Sequence, residues 1–409
     1  MNYSFNHIYF IIVILVFGVY ESAEMVSTIM FKMGLGEDKT SLFLRLALLL
    51  LCGGYFLFFY SKPKRYFSGA LGLLMPYVWG VSMMNMEQTA NFMAYIMRTA
   101  TILGPLFAFY YFYNVGQVIK DKIFFIGIIS AIILFGLGFA RTYEIQLMFS
   151  QTGDTRFSAL YIFLFLLPLF MSSPNSLLRI GGMVFVAVCM IFSLKRGGFI
   201  SFALALAIYY LVNAHCSKGK VKIKGILWAT FSLAIISVIV MTFLENYVDE
   251  LFERLYSVSE DEGSNRLTVY EVTWKMIINS DLISFIFGHG WDVLKKQSPL
   301  ELSAHNDFLE VLYDCGLIAL ILYLYLVFCL YKTLFKLIHN RSEYAAPFAF
   351  SVISFTINST IAHILIYPNN LFAMTLVWGY LLGKENISKK TKKYKKLNEN
   401  RNFSLSFSM

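Results

Sequence analysis

Lys195 and Arg196 sit in the run Ser193-Leu194-Lys195-Arg196-Gly197-Gly198, between two apolar stretches. Charge at such a depth is expensive and by default marks a ligand or a pathway. The glycines beside it let a ligand or another backbone approach closely. A snorkelling pair reaching lipid headgroups is the plainer alternative. Arg266 heads Asn265-Arg266-Leu267-Thr268-Val269-Tyr270-Glu271-Val272-Thr273-Trp274-Lys275-Met276-Ile277, where Leu267, Tyr270, Trp274 and Ile277 recur at helical spacing as one apolar stripe. Ser264 or Asn265 can cap this helix. A helix start attracts anions, so an Arg there does nothing for the helix itself. An anionic partner, or a salt bridge to Glu260 or Asp261, would each account for it. Ser303-Ala304-His305-Asn306-Asp307-Phe308-Leu309-Glu310 then leads into a further apolar run. Ser303 reads as the N-cap, which places His305 and Asn306 in the first turn. An imidazole there can take or give a proton near neutral pH, or be a plain interfacial polar residue. His363, near the end of the next apolar run, is a second candidate, as a site residue or an interhelical hydrogen bond.

Two guanidiniums on one side of a membrane can clamp a diphosphate bidentately. Cations at a leaving phosphate stabilise the charge that develops in the transition state. A nearby histidine can activate a hydroxyl as a general base. Nucleotide sugars are not available outside the cytoplasm, so a diphosphate there is a polyprenyl diphosphate. No P-loop, GxGxxG, HExxH or CxxC pattern is present. Glu260-Asp261-Glu262 comes nearest to a metal motif and reads as a solvated loop, so the expected chemistry is metal-independent and needs no cofactor.

The elements that must position these residues are helices in a membrane. Hydrophobic residues make up 58% of the chain and charged residues 14%, against about a quarter charged in a soluble domain. Apolar runs of spanning length recur at 7–33, 42–60, 66–84, 91–113, 122–140, 157–172, 177–194, 197–213, 225–244, 310–333, 345–365 and 369–384. No ten-residue blocks alternate in the manner of an outer-membrane barrel. The expected fold class is therefore all-α: a polytopic bundle of about 12 helices with a large extracytoplasmic loop. The first span is expected to tilt or break near Gly18, since it carries Glu21 and Glu24. It lacks a basic n-region and a cleavage site, and so reads as a retained helix. The five cysteines lie in or beside apolar runs and show neither a disulfide framework nor zinc spacing.

Orientation follows the cations. With both termini cytoplasmic, the inner connections hold Lys62, Lys64, Arg65, Lys120, Lys122, the lysines of 218–224, Lys332, Lys336 and Arg341. The expected organisation is nine helices over 1–244, an extracytoplasmic loop over 245–309, three helices over 310–384 and a basic tail over 385–409. The loop is acidic and the tail strongly basic. The net charge of +9 is thus a topology signal and no indication of nucleic acid. The tail can also touch anionic lipid. Lys195, Arg196, Arg266 and His305 break the pattern by lying on the outer side.

At these residues the chain resembles the O-antigen polymerase and ligase superfamily. The resemblance rests on Lys195-Arg196-Gly197-Gly198, on Arg266 followed by Trp274 and Gly288-His289-Gly290, and on His305-Asn306-Asp307-Phe308-Leu309 through Gly316, and covers roughly 185–335. It implies a GT-C-like glycosyltransferase of the bacterial cytoplasmic (inner) membrane. It also implies metal-independent, inverting transfer of glycan from undecaprenyl diphosphate. Carried over residue by residue, it makes Arg196 and Arg266 diphosphate contacts, with Lys195 beside them. His305 then activates the acceptor hydroxyl or holds the diphosphate. Lys195 departs from the family, where small or hydroxyl residues commonly precede the Arg. The implied partners are an undecaprenyl-diphosphate-linked oligosaccharide, a chain-length regulator, a flippase and membrane lipid.

Two activities share these features: a polymerase extending a lipid-linked repeat unit, and a ligase moving finished polymer to lipid A core. The polymerase is the favoured reading. A flippase or transporter is the rival from another class, since Arg45, Arg98 and Arg179 lie in or near apolar spans. Arg98 can instead snorkel, pair with Glu87, or line the route of the lipid diphosphate.

Overall fold

Apolar runs of about 20 residues cross a bilayer as helices, because each backbone N–H and C=O must find its partner within the segment. A computed structural model describes residues 3–32, 40–59, 67–86, 92–149, 160–193, 196–217, 266–365 and 367–406, and these form helices and turns with no strand among the described residues. In chain order the helices are α1 (Tyr3–Lys32), α2 (Thr40–Phe59), α3 (Ser68–Met84), α4 (Phe92–Val118), α5 (Asp121–Phe149), α6 (Tyr161–Met171), α7 (Ser176–Phe192) and α8 (Arg196–Cys216). There follow α9 (Arg266–Ile278), α10 (Leu282–Phe287), α11 (Leu294–Gln297), α12 (Asp307–His339), α13 (Ala345–Ile361) and α14 (Pro368–Ser406).

Among the described residues, six stretches are long and apolar enough to cross a membrane: Phe5–Ser27, Thr40–Phe59, Phe92–Val118, Asp121–Glu144, Gly197–Cys216 and Asp307–His339. α3, α6, α7 and α13 are shorter apolar helices. The chain is an all-α polytopic membrane protein. The expected spans coincide with α1–α8, α12, α13 and α14, while 225–244 lies outside the described residues. α14 continues without a break into the basic run, as far as Ser406.

The surface is inverted relative to a soluble protein. Leu50, Leu57, Phe58, Leu137 and Leu211 point outward and are exposed, as a lipid-facing surface requires, while Asn358, Ser201, Ser351 and Thr375 are buried. Buried polar groups join helices where apolar packing gives no preference over lipid. The Asn358 amide donates to Ser201 Oγ at 2.8 Å, and the Trp378 indole donates to Ser351 Oγ at 2.7 Å.

Close helix pairs are made by small residues. α4 and α14 run parallel in the most extensive contact of the fold. A Cβ on Gly379 would stand 2.5 Å from the Phe109 carbonyl oxygen, and one on Gly383 2.2 Å from that of Tyr113. α1 and α5 meet likewise at Gly18, where a Cβ would fall 2.7 Å from Ala131 Cα. Gly18 is therefore a contact point; of the tilt or break expected there, the break is absent, since α1 runs through it as one helix.

Beyond the spans, α9, α10 and α11 pack on the first half of α12 through Ile277, Leu294, Ala304, Leu312 and Tyr313. α9 buries Val269, Thr273 and Ile277, and leaves Leu267 and Trp274 exposed. The expected stripe of Leu267, Tyr270, Trp274 and Ile277 is thus off by part of a turn. Size drew the reading to the large residues, whereas the inner face takes β-branched ones at i, i+4 and i+8.

Candidate active site

Which helix ends meet is fixed by the pairings. Arg45 of α2 meets Thr101 of α4, and Tyr55 meets Tyr111, so these helices are parallel. α8 and α13 are antiparallel: Gly197 lies against Ile361, and Phe202 against Phe350. The starts of α8, α9 and α12 and the end of α13 therefore gather at one end of the bundle. This end holds the cations singled out in the sequence.

Tyr161, the first residue of α6, is a meeting point. The Gly198 backbone N–H and the charge of Arg266 both act on its hydroxyl. That N–H belongs to the first turn of α8, where no intrahelical partner exists. Gly198 must be glycine, since a Cβ there would lie 2.1 Å from the Tyr161 ring; one on Gly197 would reach Ile361 at 2.8 Å. Arg196 opens α8, but its side chain, like all of Lys195, lies outside the described residues. Glu260 and Asp261, the alternative partners of Arg266, also lie outside them.

The last turn of α13 ties the other segments in. Thr360 C=O, one of the carbonyls a helix end leaves free, accepts from Tyr270 Oη at 3.1 Å and Asn306 Nδ2 at 3.2 Å. The Arg266 helix and the His305 segment are thereby held to the same residue.

The start of α12 differs from expectation. Asn306, not Ser303, is the N-cap: its Oδ1 accepts from the N–H groups of Phe308 and Leu309. His305 consequently lies before the helix, with φ +51°. Left-handed backbone is uncommon outside glycine and is retained where surrounding structure imposes it. The His305 ring is exposed and sits 4.5 Å, centroid to centroid, from that of His363.

His363 is buried, 4% exposed, in the turn after α13. Its Nε2 is 3.1 Å from Ser303 Oγ and its Nδ1 2.9 Å from Glu310 Oε2. The latter approach is out of line for a hydrogen bond, and neither Glu310 oxygen has one among the described residues. Asp307, one turn earlier, is fully buried and accepts from the N–H groups of Ile364 and Leu365 and from Tyr323 Oη. Asp307 thus fixes the turn that carries His363.

The Gly288-His289-Gly290 turn is seated on a kink in α12. Gly316 adopts φ +82°, which breaks the helical ladder and frees the carbonyls of Tyr313 and Asp314. They accept from His289 N and Gly290 N at 3.1 and 2.8 Å. The Asp314 carboxylate, buried, accepts from the N–H groups of Asp292 and Leu294. A Cβ on Gly316 would stand 2.3 Å from the Ile286 carbonyl oxygen, so Gly316 serves both conformation and close approach. His289 stacks on Tyr313 and bonds Ser280 Oγ through Nε2 at 2.8 Å, and partial burial pushes its pKa below 6.5. Arg98 reaches this turn from α4, donating to Ser82 Oγ and to the Trp291 carbonyl at 3.3 Å. Its suggested partner Glu87 lies outside the described residues. Arg45 is paired with Glu24 at 3.0 Å, and Arg179 lies at the opposite end of the bundle, at the start of α7.

Arg266, His305, Asn306 and His363 are therefore brought together with the start of α8, whereas Arg98 is joined to the 288–294 turn. The sequence reading missed Glu310, Asp307, Asp314 and Tyr161. The three acids were detectable: at i, i+3 and i+7 of an apolar helix they form one inward face. Tyr161 offered no signal, because an aromatic at the head of an apolar run is ordinary.

Residues 181–324 match the family model described as O-antigen ligase. The match runs from α7 through the kinked half of α12 and contains Arg196, Arg266, His289, His305 and Glu310. The resemblance to the O-antigen polymerase and ligase superfamily is borne out over this segment, and His363 lies beyond it. No curated protein matches the chain.

Proposed function

We propose that this protein is a surface-polysaccharide polymerase. It transfers glycan from undecaprenyl diphosphate onto the non-reducing end of a lipid-linked repeat unit, at the extracytoplasmic face of a bacterial inner membrane. The observation that carries this reading is the joining of Arg266, the first turn of α8 and the His305–His363 pair around the end of α13. An arginine at a helix start beside another helix start offers charge and free N–H groups to an anion. Imidazoles alongside supply a group for the acceptor hydroxyl. In the reaction the sugar C1–O bond to the diphosphate breaks, C1 bonds the acceptor oxygen, and the acceptor proton goes to a base. The leaving diphosphate keeps the electron pair, and Arg196 and Arg266 stabilise it.

Sidedness is argued from charge. Lys120, Lys332, Lys336, Arg341 and the α14 tail belong to the end opposite His305, which makes that opposite end cytoplasmic. A chain-length regulator and a flippase are the proposed partners, and no metal is required.

The ligase reading has one observation in its favour, the family description over residues 181–324. Both reactions use the same donor chemistry and differ in the acceptor. Arg196→Ala, Arg266→Ala and His305→Ala should each leave membrane accumulation unchanged. Each should lower chain extension about 10²-fold or more, the scale of a lost transition-state contact. A variant that accumulates normally and makes full-length polymer contradicts the assignment of that residue.

A further inference from the structure

We propose that the proton leaving the acceptor hydroxyl is taken up by a buried relay of Ser303, His363 and Glu310, and that exposed His305 faces the donor. This inference rests on the transferase reading above. Ser303 Oγ, His363 Nε2, His363 Nδ1 and Glu310 Oε2 follow one another at 3.1 Å and 2.9 Å across the ring. A hydroxyl within reach of an imidazole whose far nitrogen faces a carboxylate is the general arrangement of an activated hydroxyl. Ser303 is partly exposed while His363 and Glu310 are 4% and 1% exposed, so the relay opens to solvent at its hydroxyl end.

Glu310 is the second observation. A buried carboxylate with neither oxygen hydrogen-bonded among the described residues is costly and calls for a reason. Its charge, 2.9 Å from His363 Nδ1 though out of line for a hydrogen bond, favours a proton on that nitrogen and leaves the Nε2 lone pair for the Ser303 hydroxyl. On transfer, the acceptor O–H bond breaks, its proton passes to Ser303 Oγ, and the Ser303 proton passes to His363 Nε2. His363 becomes imidazolium against Glu310, and the serine hydroxyl is restored. His363 is the proton acceptor, and Glu310 is a positioning residue.

Other groups face this pair. Asp307, from α12, acts on His363 electrostatically and is occupied by the Ile364 and Leu365 N–H groups. Tyr323 reaches it through Asp307. Tyr367, 5.3 Å from the His363 ring, is under the influence of Glu310 and Asp292. The His305 ring lies beside that of His363, tilted against it at 4.5 Å.

Two readouts on the full-length protein in lipid nanodiscs test the relay. The first is ¹⁵N NMR of labelled histidine, assigned with His363→Gln. The relay requires the Nδ1–H tautomer, mixed or reversed in Glu310→Gln. An Nε2–H tautomer in the wild type overturns the proposal whether or not glycan transfer is found, whereas absence of transfer with the Nδ1–H tautomer counts against the polymerase reading alone. The second is the pH profile of kcat with a polyprenyl-diphosphate-linked oligosaccharide as donor and acceptor. His363→Gln should lower kcat about 10²–10⁴-fold, the range of general-base catalysis, with donor KM unchanged. Glu310→Gln should lower kcat less than His363→Gln does, with donor KM unchanged. Ser303→Ala, at a partly exposed site that preserves folding, should lower kcat without moving KM. His305→Gln should raise donor KM and keep the acid limb. An acid limb lost in His305→Gln and retained in His363→Gln overturns the proposal and makes His305 the base.

Discussion

Glu310 sets a carboxylate against His363, so a second histidine stands beside His305, the one expected to be reactive at the helix start. His305 is exposed and held in left-handed backbone, while the histidine with a carboxylate behind it is His363. The side-chain types were legible: Arg266, His305, Asn306 and His363 all stand out as polar groups beside apolar runs. Their grouping was not, because His363 and Ser303 are 60 residues apart and meet only through the turn fixed by Asp307. A residue-scale prediction concerns His289. Its pKa is lowered by burial from 6.5, so the unfolded chain binds more protons in that window. Its contribution to stability is complete above pH 6.5 and is lost as pH falls through the folded value. The protection factors of residues 288–293 against hydrogen exchange should therefore fall on acidification below 6.5. A rate that follows only the chemical exchange of free amides contradicts the His289–Ser280 contact as the cause.

The helices themselves were readable because apolar length and the lipid requirement leave one solution. Ends and faces were less so. The N-cap moved from Ser303 to Asn306, since both are good caps and the choice is made by Thr360 C=O, which takes the Asn306 amide. The inward face of α9 was misassigned because β-branched residues and not aromatic ones fit against α12. Two predictions belong to this scale. Gly383→Leu would drive a side chain into the Tyr113 carbonyl and separate α4 from α14. At about 1–3 kcal/mol or more of overpacking, it should cut membrane accumulation, read by immunoblot. Asp314→Ala leaves the Asp292 and Leu294 N–H groups without their acceptor, costing about 1–3 kcal/mol. Exchange should quicken across 288–294 while the spans stay protected, and unchanged exchange there would remove Asp314 as the anchor of the turn.

As a whole, the molecule gathers its candidate site residues at one end of the bundle and its basic surplus toward the other. That division was already present in the sequence as the contrast between an acidic 245–304 and a basic 384–409. The arginines on which the flippase alternative rests have places of their own in the bundle. Arg45 is paired with Glu24, Arg98 serves the Trp291 turn, and Arg179 lies at the far end. Chelators should leave transfer in vitro undiminished; strong inhibition reversed by Mg²⁺ or Mn²⁺ would return attention to Glu260-Asp261-Glu262. The most direct measurement is the surface-glycan profile of cells lacking this protein, compared with cells in which the intact gene is restored. Polymerase activity predicts lipid A core bearing a single repeat unit, with long chains returning on restoration. Polymer accumulating on undecaprenyl diphosphate beneath bare core would contradict it and identify a ligase.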